Sequence, residues 1–372
     1  LATTMTPAQK KYLEAYRRLG TVGKAAKELG VSHQTISRGL KRAAAHDPEL
    51  HTHTAPPGYH VKSATTLRDS DGKVKLQWFK TQADKADPAE ILEVFAERIA
   101  KLPKAKPVPR PKTADSDLLT VYPMGDPHLG LLSWHLETGA DFDLDIAQRN
   151  LVSATAHLVD LAPPSKTALI INLGDFYHSD SPDNRTARSG HALDVDSRWA
   201  KILRVGIDTM ISCIEQARRK HKTVRIVNEI GNHDDKSSVM LSTVLEHHYR
   251  NDSGVEVDTS PAVTHWHEFG ANLLGIHHGN SIKASNLGAV MASTMSEAWG
   301  RTKYRYWYTG HVHHESKKEY PGCIVESFRT LAARDAWHAS AGYVSGRGMV
   351  CDVLHKTRGR IMRHEVGVES LP

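Results

Sequence analysis

From residue 118 onward, β-rich apolar runs alternate with long stretches of helical periodicity, and this alternation restricts the fold more than any other feature of the chain. Leu118–Met124, Ala168–Leu173 and Val224–Ile230 have the length and composition of buried strands. Between them, residues around Leu144–Leu161 and Arg198–Arg219 place apolar side chains on one helical face. Further strand-like runs follow at Ala271–Ile276, Arg305–Thr309, Ile324–Glu326 and Gly348–Val353. Strands with intervening helices, then a strand-rich C-terminal half, predict an α/β sandwich with a mixed sheet.

Upstream the pattern changes. Thr6-Pro7 opens a helix that carries Leu13, Tyr16 and Leu19, with Thr6 as cap and Pro7 at the first helical position. Val22–Leu29 forms a second helix that stops at Gly30, and Ser32 caps a third bearing Ile36 and Leu40 on one face. Ala26, Gly30 and Ile36 have the spacing a helix-turn-helix needs: a small residue, a turn glycine and an apolar lock. The third helix would expose Ser32, His33, Gln34, Ser37, Arg38, Lys41 and Arg42, groups suited to base edges and phosphates. Of the formal net charge of +6, residues 1–50 hold +5, from nine Lys and Arg against four acids. That is the footprint of a polyanion partner, and the segment resembles helix-turn-helix DNA-binding domains. The alternative is a helical hairpin used for packing or protein contact.

The expected domains are 1–50, the helix-turn-helix; 51–102, a connector; 103–116, a proline-rich linker; and 117–372, the catalytic domain. The connector pairs Val61–Leu67 with Val74–Lys80 across an Asp71-Gly72 turn and continues as a helix over Pro88–Leu102. The linker is stiffened by the four prolines of Pro103–Pro111. No apolar run is long enough for a membrane span, and the three cysteines suit reduced thiols in the cytoplasm.

The chain holds 24 histidines, and imidazole is the commonest metal ligand among side chains. Five short clusters follow strand ends: Asp126-Pro-His128, Gly174-Asp175, Gly231-Asn232-His233-Asp234, His277-His278-Gly279 and Gly310-His311-Val-His313. Strand carboxyl ends are where open α/β sheets place their sites. A glycine beside a ligand lets the backbone approach closely. Asp, Asn and His together offer oxygen and imidazole nitrogen, which suits Mn²⁺, Fe²⁺ or Zn²⁺ rather than Ca²⁺.

In order and spacing, these clusters resemble the signature of calcineurin-like metallophosphoesterases, over about residues 118–330. The resemblance implies a β-sandwich flanked by helices, with two divalent ions, Mn²⁺ first and Fe²⁺ or Zn²⁺ as alternatives. One ion would be held by Asp126, His128, Asp175 and His313. The other would be held by Asp175, Asn232, one of His277 and His278, and His311, with Asp175 bridging. His278 is favoured, because the family ligand directly precedes glycine. His233 lies outside this set, so it is expected to stabilise or protonate the leaving oxygen, oriented by Asp234.

Asp126-Pro-His128-Leu129-Gly130, Gly174-Asp175-Phe176-Tyr177-His178 and Gly231-Asn232-His233-Asp234-Asp235 look like double-strand-break repair nucleases of the SbcD type. There a histidine three positions after the bridging aspartate takes part in phosphodiester cleavage, and His178 matches it. A hydrogen bond from His178 to Asp175 is the alternative. The basic helices and proline linker depart from that group, as does the short stretch after Gly310, so a phage-encoded branch, working in the host cytoplasm, is expected. The polar stretch from Asp183 to Arg198 is either a substrate loop or a solvated helix entry. The expected function is a two-metal phosphodiester hydrolase acting on DNA. The alternatives are a phosphomonoesterase or small-nucleotide phosphodiesterase, and a DNA-binding regulator with an inactive core. The complete ligand set argues against the last.

Overall fold

The structure is a computed structural model that describes residues 6–44, 59–68, 74–83, 105, 111, 113–186 and 190–371. The expected helix over Pro88–Leu102, the Asp71-Gly72 turn and most of the proline-rich segment lie outside the described residues. Two compact units divide the chain, Leu1–Val94 and Phe95–Pro372.

The first unit opens with three helices, α1 (Pro7–Leu19), α2 (Val22–Leu29) and α3 (His33–Ala44). Thr6 and Gln9 close a reciprocal capping box at the start of α1, and Gly20 ends it with φ 74°. Thr21 caps α2, and the Ser32 hydroxyl accepts the Thr35 amide at 3.1 Å at the start of α3. Ala15, Ala25, Ala26 and Ile36 form the buried centre, with Tyr12 and Leu40 packed around them. Small residues bring the helices together closely, and a side chain at Gly39 would strike the Tyr12 ring. Ser32, His33, Gln34 and Arg38 are exposed, whereas Ser37 is half-buried. A separate hairpin pairs β1 (Tyr59–Arg68) antiparallel with β2 (Val74–Ala83), with Thr66 opposite Gln77.

The second unit runs β3 (Asp115–Met124), α4 (His135–Thr138), α5 (Leu144–Leu161), β4 (Ser165–Asn172), α6 (Trp199–Lys220), β5 (Thr223–Asn228), α7 (Ser237–Tyr249) and β6 (Val255–Val257). It continues with β7 (His265–Phe269), β8 (Asn272–His277), α8 (Ala284–Thr294), α9 (Ser296–Arg301), β9 (Tyr304–Thr309), β10 (Ser316–Tyr320), β11 (Cys323–Ser327), α10 (Ala336–Ser340), β12 (Gly348–His355) and β13 (Gly359–Gly367). Six strands form one sheet in the order β13-β12-β3-β4-β5-β6, and five form another in the order β10-β11-β9-β8-β7. The pairs β3–β4, β4–β5, β5–β6, β8–β9 and β9–β11 are parallel, while antiparallel partners close the other three edges at β13, β10 and β7.

The sheets pack face to face. Leu119, Val121, Leu169, Ile171 and Val227 of the first meet Leu274, Ile276, Tyr306 and Tyr308 of the second in one buried cluster. α5 and α6 cover the outer face of the first sheet. α8 and α9 cover the second, through Leu287, Met291 and Ala298 against Leu273, Trp307 and Val325. The fold is thus α/β, with two mixed sheets between helical layers. Cys213, Cys323 and Cys351 are buried free thiols. No helix among the described residues is long and apolar enough to cross a membrane.

Candidate metal centre

Every cluster picked out above lies just past the carboxyl end of a parallel strand. Asp126 and His128 follow β3, Asp175 follows β4, Asn232 follows β5, His278 follows β8, and His311 and His313 follow β9. Parallel pairing brings β3, β4 and β5 to one edge, β8 and β9 end opposite them, and the loops meet in a single place. Ligand atoms gather there in three groups, each within 4.8 Å: an all-histidine group of His128, His178 and His233, and two triads that mix oxygen with nitrogen, Asp126, His128 and His313, and Asp175, His278 and His311. The two mixed triads follow the lines of the two expected ligand sets, and the all-histidine group does not. His128 and His313 bring their Nε2 atoms to 3.0 Å. His278 Nε2 stands 3.1 Å from Asn232 Oδ1 and 3.3 Å from Asp175 Oδ2.

The backbone is bent to achieve this. Asp126 (φ 44°), His128 (47°), Asp175 (50°), His311 (70°) and His313 (55°) sit in the left-handed region. Such residues cost about 1–3 kcal/mol each and persist only where the surroundings hold them. Asn184 is the one further non-glycine residue with positive φ among the described residues. Both Asp126 carboxylate oxygens accept the His311 amide, at 2.9 and 3.0 Å, and the Asp175 carbonyl accepts the His128 amide at 2.9 Å. At two places only glycine fits: a Cβ on Gly231 would collide with the Asp175 carboxylate, and one on Gly310 with that of Asp126.

His277 and His278 face different neighbours. The His277 ring turns into its own loop, Nε2 facing Ser281 Oγ at 3.0 Å and Nδ1 accepting the Gly279 amide at 2.9 Å. His278 Nδ1 donates to the Leu173 carbonyl at 2.8 Å, which leaves Nε2 facing Asn232 and Asp175.

One expected role and one alternative need revision. Asp234 was expected to orient His233, but its carboxylate is committed elsewhere. It accepts the amides of Asp175 (3.2 Å), Tyr177 (3.2 Å) and Gly231 (3.1 Å) and the Ser238 hydroxyl (2.7 Å). Asp234 therefore shapes two ligand loops. The His233 ring is set by the His178 carbonyl, which accepts Nδ1–H at 2.9 Å. His178 itself does not hydrogen-bond Asp175. Its Nδ1 lies 3.2 Å from His128 Nδ1, it stacks on His233, and its Nε2 is buried without a hydrogen-bond partner. Asp194 and Asp196, in the polar stretch after Asp183, serve the loop before α5: the Asp194 carbonyl accepts Leu132 N, and the Asp196 carboxylate accepts Leu144 N.

Charge in the cluster is unevenly shared. Burial pushes the Asp126 carboxyl up, against the pull of His278. Burial also acts on Asp175, but His278, His233 and His128 together hold that carboxyl well below the usual range. For His278 burial opposes the proton, yet Asp175 prevails and raises the imidazole to about 10. Burial holds His128 well below its ordinary value, and burial together with neighbouring histidines holds His178 and His313 at about 3. Burial thus keeps the His128, His311 and His313 rings neutral beside carboxylate oxygens, a donor set that fits divalent ions, and an ion at His278 would displace the proton that Asp175 now holds there.

Sequence reasoning passed over His338, whose ring stacks on His313 with centroids 5.1 Å apart. It lies in a short segment with no periodicity and no flanking ligand residue, so nothing local marks it.

No protein-family model matches the chain, and no curated protein matches it. Among solved structures, YfcE, a phosphoesterase from E. coli, is similar over 67% of this chain and 99% of its own, at 14% identity and a TM-score of 0.34. Wild-type Vps29 from Entamoeba histolytica, complexed with Zn²⁺, is similar over 67% of this chain and 99% of its own, at 12% identity and a TM-score of 0.26. PhoD is similar over 71% of this chain and 73% of its own, at 9% identity and a TM-score of 0.30. Likenesses this distant leave the function to be argued from the site.

Proposed function

We propose that the chain is a metal-dependent phosphoesterase of the calcineurin-like kind, and specifically a two-metal phosphodiester hydrolase that acts on DNA. The observation that carries this reading is the pair of nitrogen-and-oxygen triads converging on left-handed backbone. Asp126, His128, Asp175 and His313 would hold one ion, and Asp175, Asn232, His278 and His311 the other. The mixed donor set favours Mn²⁺, with Fe²⁺ or Zn²⁺ as alternatives. Divalent ions bound there would polarise a phosphoryl oxygen and lower the pKa of a water.

The chain's own groups supply the rest. His233 donates an Nδ1–H hydrogen bond to the His178 carbonyl, which leaves Nε2 as the atom to exchange a proton with the leaving oxygen. His178 supports His128 from behind, and Asp234 holds the loops that carry Asp175 and Asn232. DNA as the substrate is supported by the N-terminal helices. The exposed Ser32, His33, Gln34 and Arg38, with Ser37, Lys41 and Arg42 on the same helix, suit a helix-turn-helix in a groove, and the surrounding +5 charge draws phosphate. A phage-encoded branch of the superfamily, apart from the SbcD-type nucleases, fits this pairing of parts.

The test is digestion by the Mn²⁺-loaded chain of single-stranded, duplex and circular DNA beside bis(p-nitrophenyl) phosphate. Cleavage of the ester and of DNA, both abolished by chelation, is expected. Ester cleavage alone would favour a small-nucleotide enzyme, and neither activity would favour a regulator with an inactive core.

A further inference from the structure

Beside His313 the chain builds a surface that neither ligand set uses. α10 starts at Asp335, whose Oδ1 accepts the His338 amide and the His338 ring Nδ1–H, both at 2.7 Å. That pair fixes the ring stacked on His313. Trp337 stands edge-on to His338 at 4.9 Å, and Tyr343 stacks on Trp337 at 5.8 Å and 26°. The rings thus form a run leading away from the ligand cluster. They are not core: Trp337 is 62% exposed and Tyr343 53%. Large aromatic side chains left open beside a cleft mark a binding surface.

The surface is rigidly mounted. Arg334 donates to the Tyr343 carbonyl at 3.0 Å and the Thr138 carbonyl at 2.7 Å, and the Ser133 hydroxyl donates to the Arg334 carbonyl. α10 accordingly packs against α4. A cavity of about 280 Å³ lies alongside, lined by His313, His338, Tyr343, Arg334, Arg347 and Glu369.

We propose that Trp337 and Tyr343 form a stacking platform for an unpaired nucleobase flanking the phosphodiester at the metal centre, so that the enzyme prefers single-stranded DNA to intact duplex. This rests on the phosphodiesterase reading above. A base in a duplex has both faces covered by its neighbours, whereas an unpaired base offers one to a protein ring. Two arginines against the single acid Glu369 leave the cavity lining with the sign that attracts a nucleic-acid backbone. The run of rings ends on His313, so an occupant of the platform is continuous with the candidate centre.

The experiment uses the Mn²⁺-loaded full chain with a single-stranded oligonucleotide, the same sequence as blunt duplex, and bis(p-nitrophenyl) phosphate. The wild type should favour the single strand. Trp337→Ala and Tyr343→Ala should each raise KM on it roughly 5- to 100-fold, well beyond any change on the small ester. Trp337→Phe keeps an aromatic face and should recover most of the loss. A wild type that cleaves DNA but favours duplex, or alanine variants that lose the ester and the single strand equally, would overturn the platform and leave the nuclease reading standing. A wild type that turns over the ester and no DNA would remove the nuclease reading, and the platform with it.

Discussion

At the scale of single residues, the proposed function assigns some groups to hold ions and others to move protons. Asp175 stands between the triads: its carbonyl holds the His128 amide, while its carboxylate faces His278 and accepts the His233 amide at 2.8 Å. Asp175→Asn should therefore weaken both ions, and metal analysis after dialysis checks this. Two ions retained per chain would mean that the residue does not bridge. His233 and Asp234 are neighbours in sequence with opposite expected phenotypes. His233→Ala removes a proton-exchanging group and should lower kcat by about 10²–10⁴-fold while keeping metal content and melting temperature. Asp234→Ala leaves three buried amides without an acceptor, at about 1–3 kcal/mol each, and should lower both melting temperature and metal content. Identical behaviour of the two variants would refute this division of labour.

At the scale of elements, how legible each was depended on whether its local chemistry agreed with its burial. Leu144–Leu161 is helical between the residues read from its periodicity, because Asp143 caps it and one apolar face meets the sheet. The long parallel strands came within one to three residues, since burial on both faces makes them continuous apolar runs. β10, Ser316–Tyr320, was not read, because it is an exposed edge strand with charged side chains and no apolar signal. The short β6 and β7 and the polar β13 escaped for similar reasons. In α3, Ile36 faces inward and Arg38 outward, as amphipathic spacing demands. If that outer face meets DNA, Arg38→Ala should weaken binding at every sequence alike. It should reduce the log–log dependence of affinity on salt by roughly 0.9, one counterion released per phosphate contact. Fluorescence anisotropy across a salt series reads this directly, and an unchanged slope would place Arg38 away from phosphate.

At the scale of the whole molecule, the question is why a basic three-helix segment shares a chain with the proposed hydrolase. Tethering raises the local concentration of DNA at the catalytic unit without adding a catalytic group. The nine residues Pro103–Pro111, extended at about 3.1 Å each, would reach roughly 28 Å. Deleting residues 1–112 should leave kcat on a small phosphodiester unchanged and raise KM on long DNA, most clearly at low salt. Steady-state kinetics of both forms on both substrates decide it. Equal effects on the two substrates would show that the N-terminal region stabilises the fold and does not deliver DNA.

The identity, order and strand-end placement of the candidate ligands were determined by the sequence alone. Chemistry of this type needs particular side chains, and alternation of strand and helix puts loop residues at one sheet edge. The distances between those residues were decided only in three dimensions. Asp126 and His313 are far apart in the chain and meet because β3 and β9 end on the same side of two facing sheets. Which of His277 and His278 enters the cluster, and what Asp234 holds, depend on hydrogen bonds to distant backbone atoms. The left-handed φ of five candidate ligands and the stacking of His338 on His313 likewise leave no mark on local composition. Such contacts exist only once packing has brought the segments together, because each one joins residues that no propensity or periodicity connects.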